Sequence, residues 1–125
     1  MSKHRVSLGQ LAITVDNIEQ ALGFYQGILG LDFLFSPSSE LAFLQCGDTR
    51  LMLTTPQGAG EVGRNSIPYF KVTGIEHYFR TAVAKGALGE REPQLTAAMD
   101  DHDLWMGFLR DPDGNLIGIM EEVAR

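Results

Sequence analysis

Side chains able to do acid-base or nucleophilic chemistry are sparse in this chain, and the densest group is Asp100-Asp101-His102-Asp103. A histidine beside carboxylates can stay protonated, or act as a base, near neutral pH. His102 is therefore the candidate for catalysis, although the same four residues also read as a polar hairpin loop before a strand with Trp105 and Phe108. Adjacent residues on a turn rarely converge on one metal ion. The other histidines offer less: His4 falls in the N-terminal tail, and His77 sits near the start of a helix, on the side away from Ile75, Tyr78 and Phe79. The single cysteine, Cys46, excludes an intrachain disulfide framework. It ends an apolar strand beside a Gly-Asp turn, where a small buried hydrophobe is a simpler reading than a reactive thiol.

The elements that must position these groups are written twice. Leu11-Ala-Ile-Thr-Val15-Asp16-Asn-Ile18-Glu19 is echoed 57 positions on by Pro68-Tyr-Phe-Lys-Val72-Thr73-Gly-Ile75-Glu76. Each copy predicts an apolar strand, an N-cap residue (Asp16, Thr73) and a Glu three positions later that bonds back to the cap. Apolar residues then follow at helical spacing, through Ile18, Ala21, Leu22, Tyr25, Ile28 and Leu29 in the first copy and Ile75, Tyr78, Phe79, Ala82 and Val83 in the second. Gly30 and Gly86 end the helices. Short strands are expected near 31–35, 41–45 and 50–54, and again near 94–99, 104–110 and 116–121.

The unit is βαβββ, made twice, which gives an α+β fold class. A single module of about 60 residues buries too little apolar surface to stand alone, so the 125 residues suit one domain. Its parts are module one (about 6–55), a linker (about 55–66) and module two (about 67–123). That linker is rich in Gly and polar residues, and reads equally as a mobile flap over a pocket or as a plain connection. Hydrophobic content of 44% and charged content of 21% are ordinary for a globular protein. The net charge of -6, without clustered Lys and Arg, argues against nucleic acid as a partner; it suits a cationic small ligand. No apolar run is long enough to span a membrane and the first residues lack a signal-peptide core, so the chain reads as cytoplasmic.

Two phrases carry a family resemblance: Leu11 to Leu31, which includes Asn17-Ile-Glu-Gln-Ala-Leu-Gly-Phe-Tyr25, and Phe108-Leu-Arg-Asp-Pro-Asp-Gly-Asn-Leu116. Together they resemble the vicinal oxygen chelate superfamily, the glyoxalase, bleomycin resistance and extradiol dioxygenase group. Asp111-Pro112-Asp113-Gly114-Asn115 has its own physical sense as a tight turn, since Pro fixes φ, Gly admits positive φ and Asx side chains bond the local backbone. Phe24 and Tyr25 read as helix packing residues.

The resemblance implies two tandem modules whose curled mixed sheet surrounds a cleft, with helices on the outer face. In metal-dependent members that cleft holds a divalent ion on His and Glu from the first and fourth strand of each module. The corresponding positions here are Gln10, Met52, Ile67 and Gly118. Gln is a weak neutral donor, Met prefers soft metals, and Ile and Gly have no donor at all. No metal and no other cofactor is expected, which places glyoxalase, dioxygenase and metal-dependent epimerase chemistry in doubt.

Strand alternation gives the lining that replaces an ion. Gln10 shares a face with Ala12, Met52 with Arg50, and Ile67 with Tyr69, while Phe33, Phe35, Phe43, Trp105 and Phe108 are available as aromatic walls. The expected pocket is largely apolar with a few polar points, as small-ligand sites usually are. Arg50 is the cation that alternation aims at the cleft, where it could meet an anionic ligand group. Two functions from different classes follow. One is a metal-free binding protein that sequesters a drug or metabolite, resembling the bleomycin resistance members, with a small organic molecule as partner and a homodimer whose clefts draw on both chains. The other is a lyase, epimerase or dioxygenase-type enzyme, metal-free with His102 as acid or base, or with ligands at other positions. An accessory domain without chemistry is a third and weaker reading.

Overall fold

Alternation decides which face of every strand is covered. The computed structural model describes residues 6–57 and 60–125, so His4 and the Gly58-Ala59 pair of the linker lie outside the described residues. In β1 (Gln10–Thr14) Leu11 and Ile13 pack against the core, while Gln10 and Ala12 take the other face and stay exposed. The chain then enters α1 (Ile18–Leu22), which runs on as a π-helical segment over Gly23–Ile28. There the Leu29 N–H donates to the Phe24 carbonyl at 2.9 Å, one residue wider than an α-turn. Phe24 and Tyr25 are both buried, with ring centres 4.9 Å apart in an edge-to-face pair.

β2 (Asp32–Ser38), β3 (Leu41–Cys46) and β4 (Thr49–Thr54) complete the first module. The second repeats it with β5 (Tyr69–Lys71), α2 (Ile75–Ala84), β6 (Leu88–Ala98), β7 (His102–Arg110) and β8 (Leu116–Ala124). Two four-stranded mixed sheets result, ordered β1-β4-β3-β2 and β5-β8-β7-β6. In each, the first strand pairs parallel with the last and the remaining pairs are antiparallel. This is the tandem βαβββ architecture expected from the repeat. Gly30 and Gly86 stand at φ 90 and 111 just past the helices, as the terminating glycines must.

The caps are not the expected ones. Asn17, one residue beyond Asp16, caps α1 through its Oδ1, which accepts from the Gln20 N–H at 2.8 Å. At α2 the cap position belongs to Gly74 rather than Thr73, and Gly74 has no side chain to offer. The β8 residue Glu121 takes over: its carboxylate accepts from the Gly74 N–H at 2.9 Å and the Ile75 N–H at 3.0 Å. A remote carboxylate therefore meets the positive end of the helix. β6 also begins earlier than position 94, because the charged stretch Glu90-Arg91-Glu92 pairs with β7 through bulges.

Helix-side residues from both halves, including Val15, Leu44 and Leu53 with Leu109, Ile117 and Ile119, form one buried cluster. A polar network ties the halves as well. The Tyr25 hydroxyl donates to Asp111 Oδ2 at 2.7 Å, and Asp111 also accepts from the Asn115 side chain at 2.8 Å. Asp111 Oδ1 receives the backbone N–H of Asp113 and Asn115, so the turn is architectural, and Tyr25 is a bridge rather than packing alone. The linker joins through Asn65, whose side chain accepts from the Thr14 N–H at 3.0 Å and donates to Asn115 Oδ1 at 2.7 Å. At Asn65 the linker is pinned to both halves. Among the described residues no helix is long and apolar enough to cross a membrane.

Candidate functional site

Each sheet packs its helix on one face and leaves the opposite face open. On module one, Met52 of β4 lies between Ala12 of β1 and Phe43 of β3 in the strand register. Phe43 stacks on Phe35 of β2 with centroids 5.0 Å apart, and Phe35 remains half exposed. The Arg50 guanidinium stands over the Phe43 ring at 5.2 Å and donates from Nε to Gln10 Oε1 at 2.9 Å. The Gln10 amide N–H in turn points to the Met52 sulfur at 3.5 Å. Gln10, Ala12, Phe43, Arg50 and Met52 are thus neighbours, as alternation requires.

On module two the corresponding register is Tyr69 of β5, Gly118 of β8 and Phe108 of β7. A side chain at 118 would collide with Tyr69, because a Cβ there would come within 2.5 Å of the tyrosine ring. Tyr69 therefore lies over Gly118, and its ring meets Phe108 edge to face at 5.8 Å. Bulk is exchanged between the repeats, a small Ala12 beside a large Met52 in one and a large Tyr69 beside Gly118 in the other. Arg91 of β6 stands opposite Phe108 in register and holds its guanidinium 5.8 Å from that ring. Arg91 was not visible in the sequence because its charged segment reads as loop. The signal that could have found it is position, since Arg91 pairs with Phe108 as Phe35 pairs with Phe43.

The expected residues do not all meet. Ile67, Tyr69 and Phe108 line one cavity of about 250 Å³ with Glu90, Arg91 and Leu116. Met52 lines another of about 400 Å³ with Leu41, Thr54 and Gln57. Arg50, Ile67 and Tyr69 come together at a third, of about 340 Å³, beside Leu11 and Phe70. Trp105 belongs elsewhere: an odd number of positions from Phe108 on a strand, it faces α2 and lines a cavity with His77, Arg80 and Glu121. His102 opens β7, six positions before Phe108, or roughly 20 Å along an extended strand. Its Nδ1 sits 2.7 Å from Asp101 Oδ1, and that hydrogen bond holds the Asp101 carboxyl below the usual carboxylate range. His77 is exposed and Cys46 packs against the core, where burial pushes its thiol up and away from thiolate chemistry. Among the described residues no three His, Cys, Asp or Glu side chains gather in a metal-binding group.

Tandem βαβββ modules that leave one face of each sheet open at equivalent positions define a vicinal-oxygen-chelate type of scaffold. Residues 7–119 match the model of the glyoxalase/bleomycin resistance protein/dioxygenase superfamily, and the chain belongs to that superfamily. The solved structures agree on the fold. A lactoylglutathione lyase from Agrobacterium tumefaciens superposes with a TM-score of 0.78 at 21% identity, covering 95% of this chain and 96% of that one. An integron cassette protein from the mobile metagenome of V. cholerae gives 0.77 at 22% identity, covering 97% and 98%. A glyoxalase/bleomycin resistance protein/dioxygenase from Alicyclobacillus acidocaldarius gives 0.70 at 17%, covering 97% and 95%. A comparison with curated proteins finds no match.

Proposed function

We propose that this protein is a metal-free, small-molecule-binding member of its superfamily that sequesters a drug or metabolite. One observation carries the reading: at the register where metal-dependent relatives would need ligands, the Tyr69 ring lies over Gly118. Donor chemistry supports it, because Gln10 already bonds Arg50 and Met52 and Ile67 has no donor, so these four residues do not fit a divalent ion. The space is lined instead by aromatic rings and cations, which suits an organic ligand. The enzyme reading rests on His102, which opens β7 far from Phe108 and Gly118.

The cleft is completed by a second copy of the chain. The cavities at Met52 and at Phe108 are lined by different modules, and half-exposed rings such as Phe35 and Tyr69 remain on the open faces. A homodimer that sets one module of each chain face to face covers them. Metal content of the purified protein, with melting temperature on adding zinc, nickel, manganese or iron(II), tests the proposal. A ligand bound tightly to the native state must raise the melting temperature. We expect no stoichiometric metal and no shift; a bound metal or a clear shift overturns the metal-free reading. Sedimentation gives the assembly, with a dimer expected and a monomer at micromolar concentration arguing against the shared cleft.

A further inference from the structure

We infer that the ligand is a planar aromatic compound bearing an anionic group, despite the chain's net charge of -6. The inference rests on the small-molecule reading above and names the chemistry of that same site. Each open face repeats one device, an arginine laid against a phenylalanine: Arg50 over Phe43 at 5.2 Å and Arg91 over Phe108 at 5.8 Å. Among the described residues neither arginine has a carboxylate within ion-pair distance, whereas Arg110, Lys71, Arg64 and Arg125 all do. The acid that lines the Arg91 cavity, Glu90, is already held by Arg110 at 3.0 Å. Each open face therefore carries an arginine without an ion-pair partner among the described residues, and the carboxylate on the module-one face, Glu40, lies in the Met52 cavity, where it accepts from the Thr55 hydroxyl.

The geometry presents these charges for use. Among the described residues Arg50 bonds only through its Nε, to Gln10, so the two terminal nitrogens of the fork face a carboxylate or sulfonate without a competing partner there. Its place over the Phe43 ring at 5.2 Å and its bond to Gln10 hold the guanidinium beside the open face. Beside it Phe35 offers an exposed ring already stacked on Phe43, and on module two Tyr69 offers the same next to Phe108. A flat ring stacked on Phe35 or Tyr69 brings an acidic substituent to Arg50 or Arg91. A cationic ligand, which net charge alone favours, meets an arginine beside each of these rings.

Isothermal titration of the intact protein with three probes of one shape, naphthoate, naphthamide and naphthylmethylammonium, tests this. Naphthoate is expected to bind at least about tenfold more tightly than the neutral amide, as a charged hydrogen bond implies, and the ammonium most weakly. Arg50→Gln and Arg91→Gln alter exposed side chains, and each is expected to remove several-fold of naphthoate affinity while leaving the amide unchanged. Equal binding of the three, preference for the ammonium, or indifference of naphthoate to both substitutions overturns the anionic-aromatic assignment alone. If none of the probes binds, this inference and the small-molecule reading fall together.

Discussion

Tyr25 shows how much one hydroxyl can do inside this fold. It is fully buried, and burial first, then the Asp111 carboxylate it bonds, pushes its ionisation far above the ordinary tyrosine value of 10.0. Because the folded value is raised, this stabilising contribution is complete below about pH 10 and is eroded as pH climbs from there toward the folded value, since only the unfolded chain can ionise the group. Tyr78, raised by burial and by its neighbour Cys46, acts in the same direction. Tyr25→Phe is expected to cost about 1–3 kcal/mol at neutral pH, by stranding part of the Asp111 hydrogen-bonding capacity. It should also flatten the alkaline loss of stability. Urea midpoints near pH 8 and again above pH 10 read both effects, and an unchanged alkaline slope would show that Tyr25 is not the group responsible. Residue types alone marked Tyr25 as packing; its bond to Asp111, 86 positions away, has no local signature.

At the scale of elements, the start of α2 depends on a strand. Glu121→Ala removes both acceptors from the Gly74 and Ile75 N–H groups and the negative charge at the helix start. A loss of about 1–2 kcal/mol is expected from that cap. Thr73→Ala should change denaturant stability by less than half as much, and the reverse ranking would restore Thr73 as the cap. Helices, their glycine stops and most strands were legible because periodicity and Gly placement are local properties. The caps were legible only to within a residue at α1, where Asn17 stands beside Asp16, and not at α2, where the acceptor arrives from β8. β6 was shortened in the reading because its first half, Gly89-Glu-Arg-Glu-Pro93, has loop composition and becomes strand through bulged pairing with β7. Trp105 was grouped with Phe108 on aromatic character, although alternation alone sends the two to opposite faces.

Across the whole molecule the two halves meet through a shared apolar core and a small polar network of buried Asp111 and Asn115 with half-buried Asn65. Asn65→Ala leaves the Thr14 N–H and the Asn115 side-chain Oδ1 without this partner, and is expected to cost about 1–3 kcal/mol. Limited proteolysis should then cut the linker faster than in the parent, while equal stability and equal cutting rate would mean that water replaces the asparagine freely. The register positions Gln10, Met52, Ile67 and Gly118 follow from the family resemblance, with the repeat linking Gln10 to Ile67, whereas the ring over Gly118 and the paired Arg50 and Arg91 required three dimensions.

The exchange of bulk at that register also constrains the histories open to the chain. A glutamate at 118 would be blocked by the Tyr69 ring, whereas shortening Tyr69, which is half exposed, would uncover Gly118 to solvent. A side chain at 118 is unfavourable until the Tyr69 ring has moved or been shortened. The two positions are therefore epistatic: any side chain introduced at 118 depends on a change at 69.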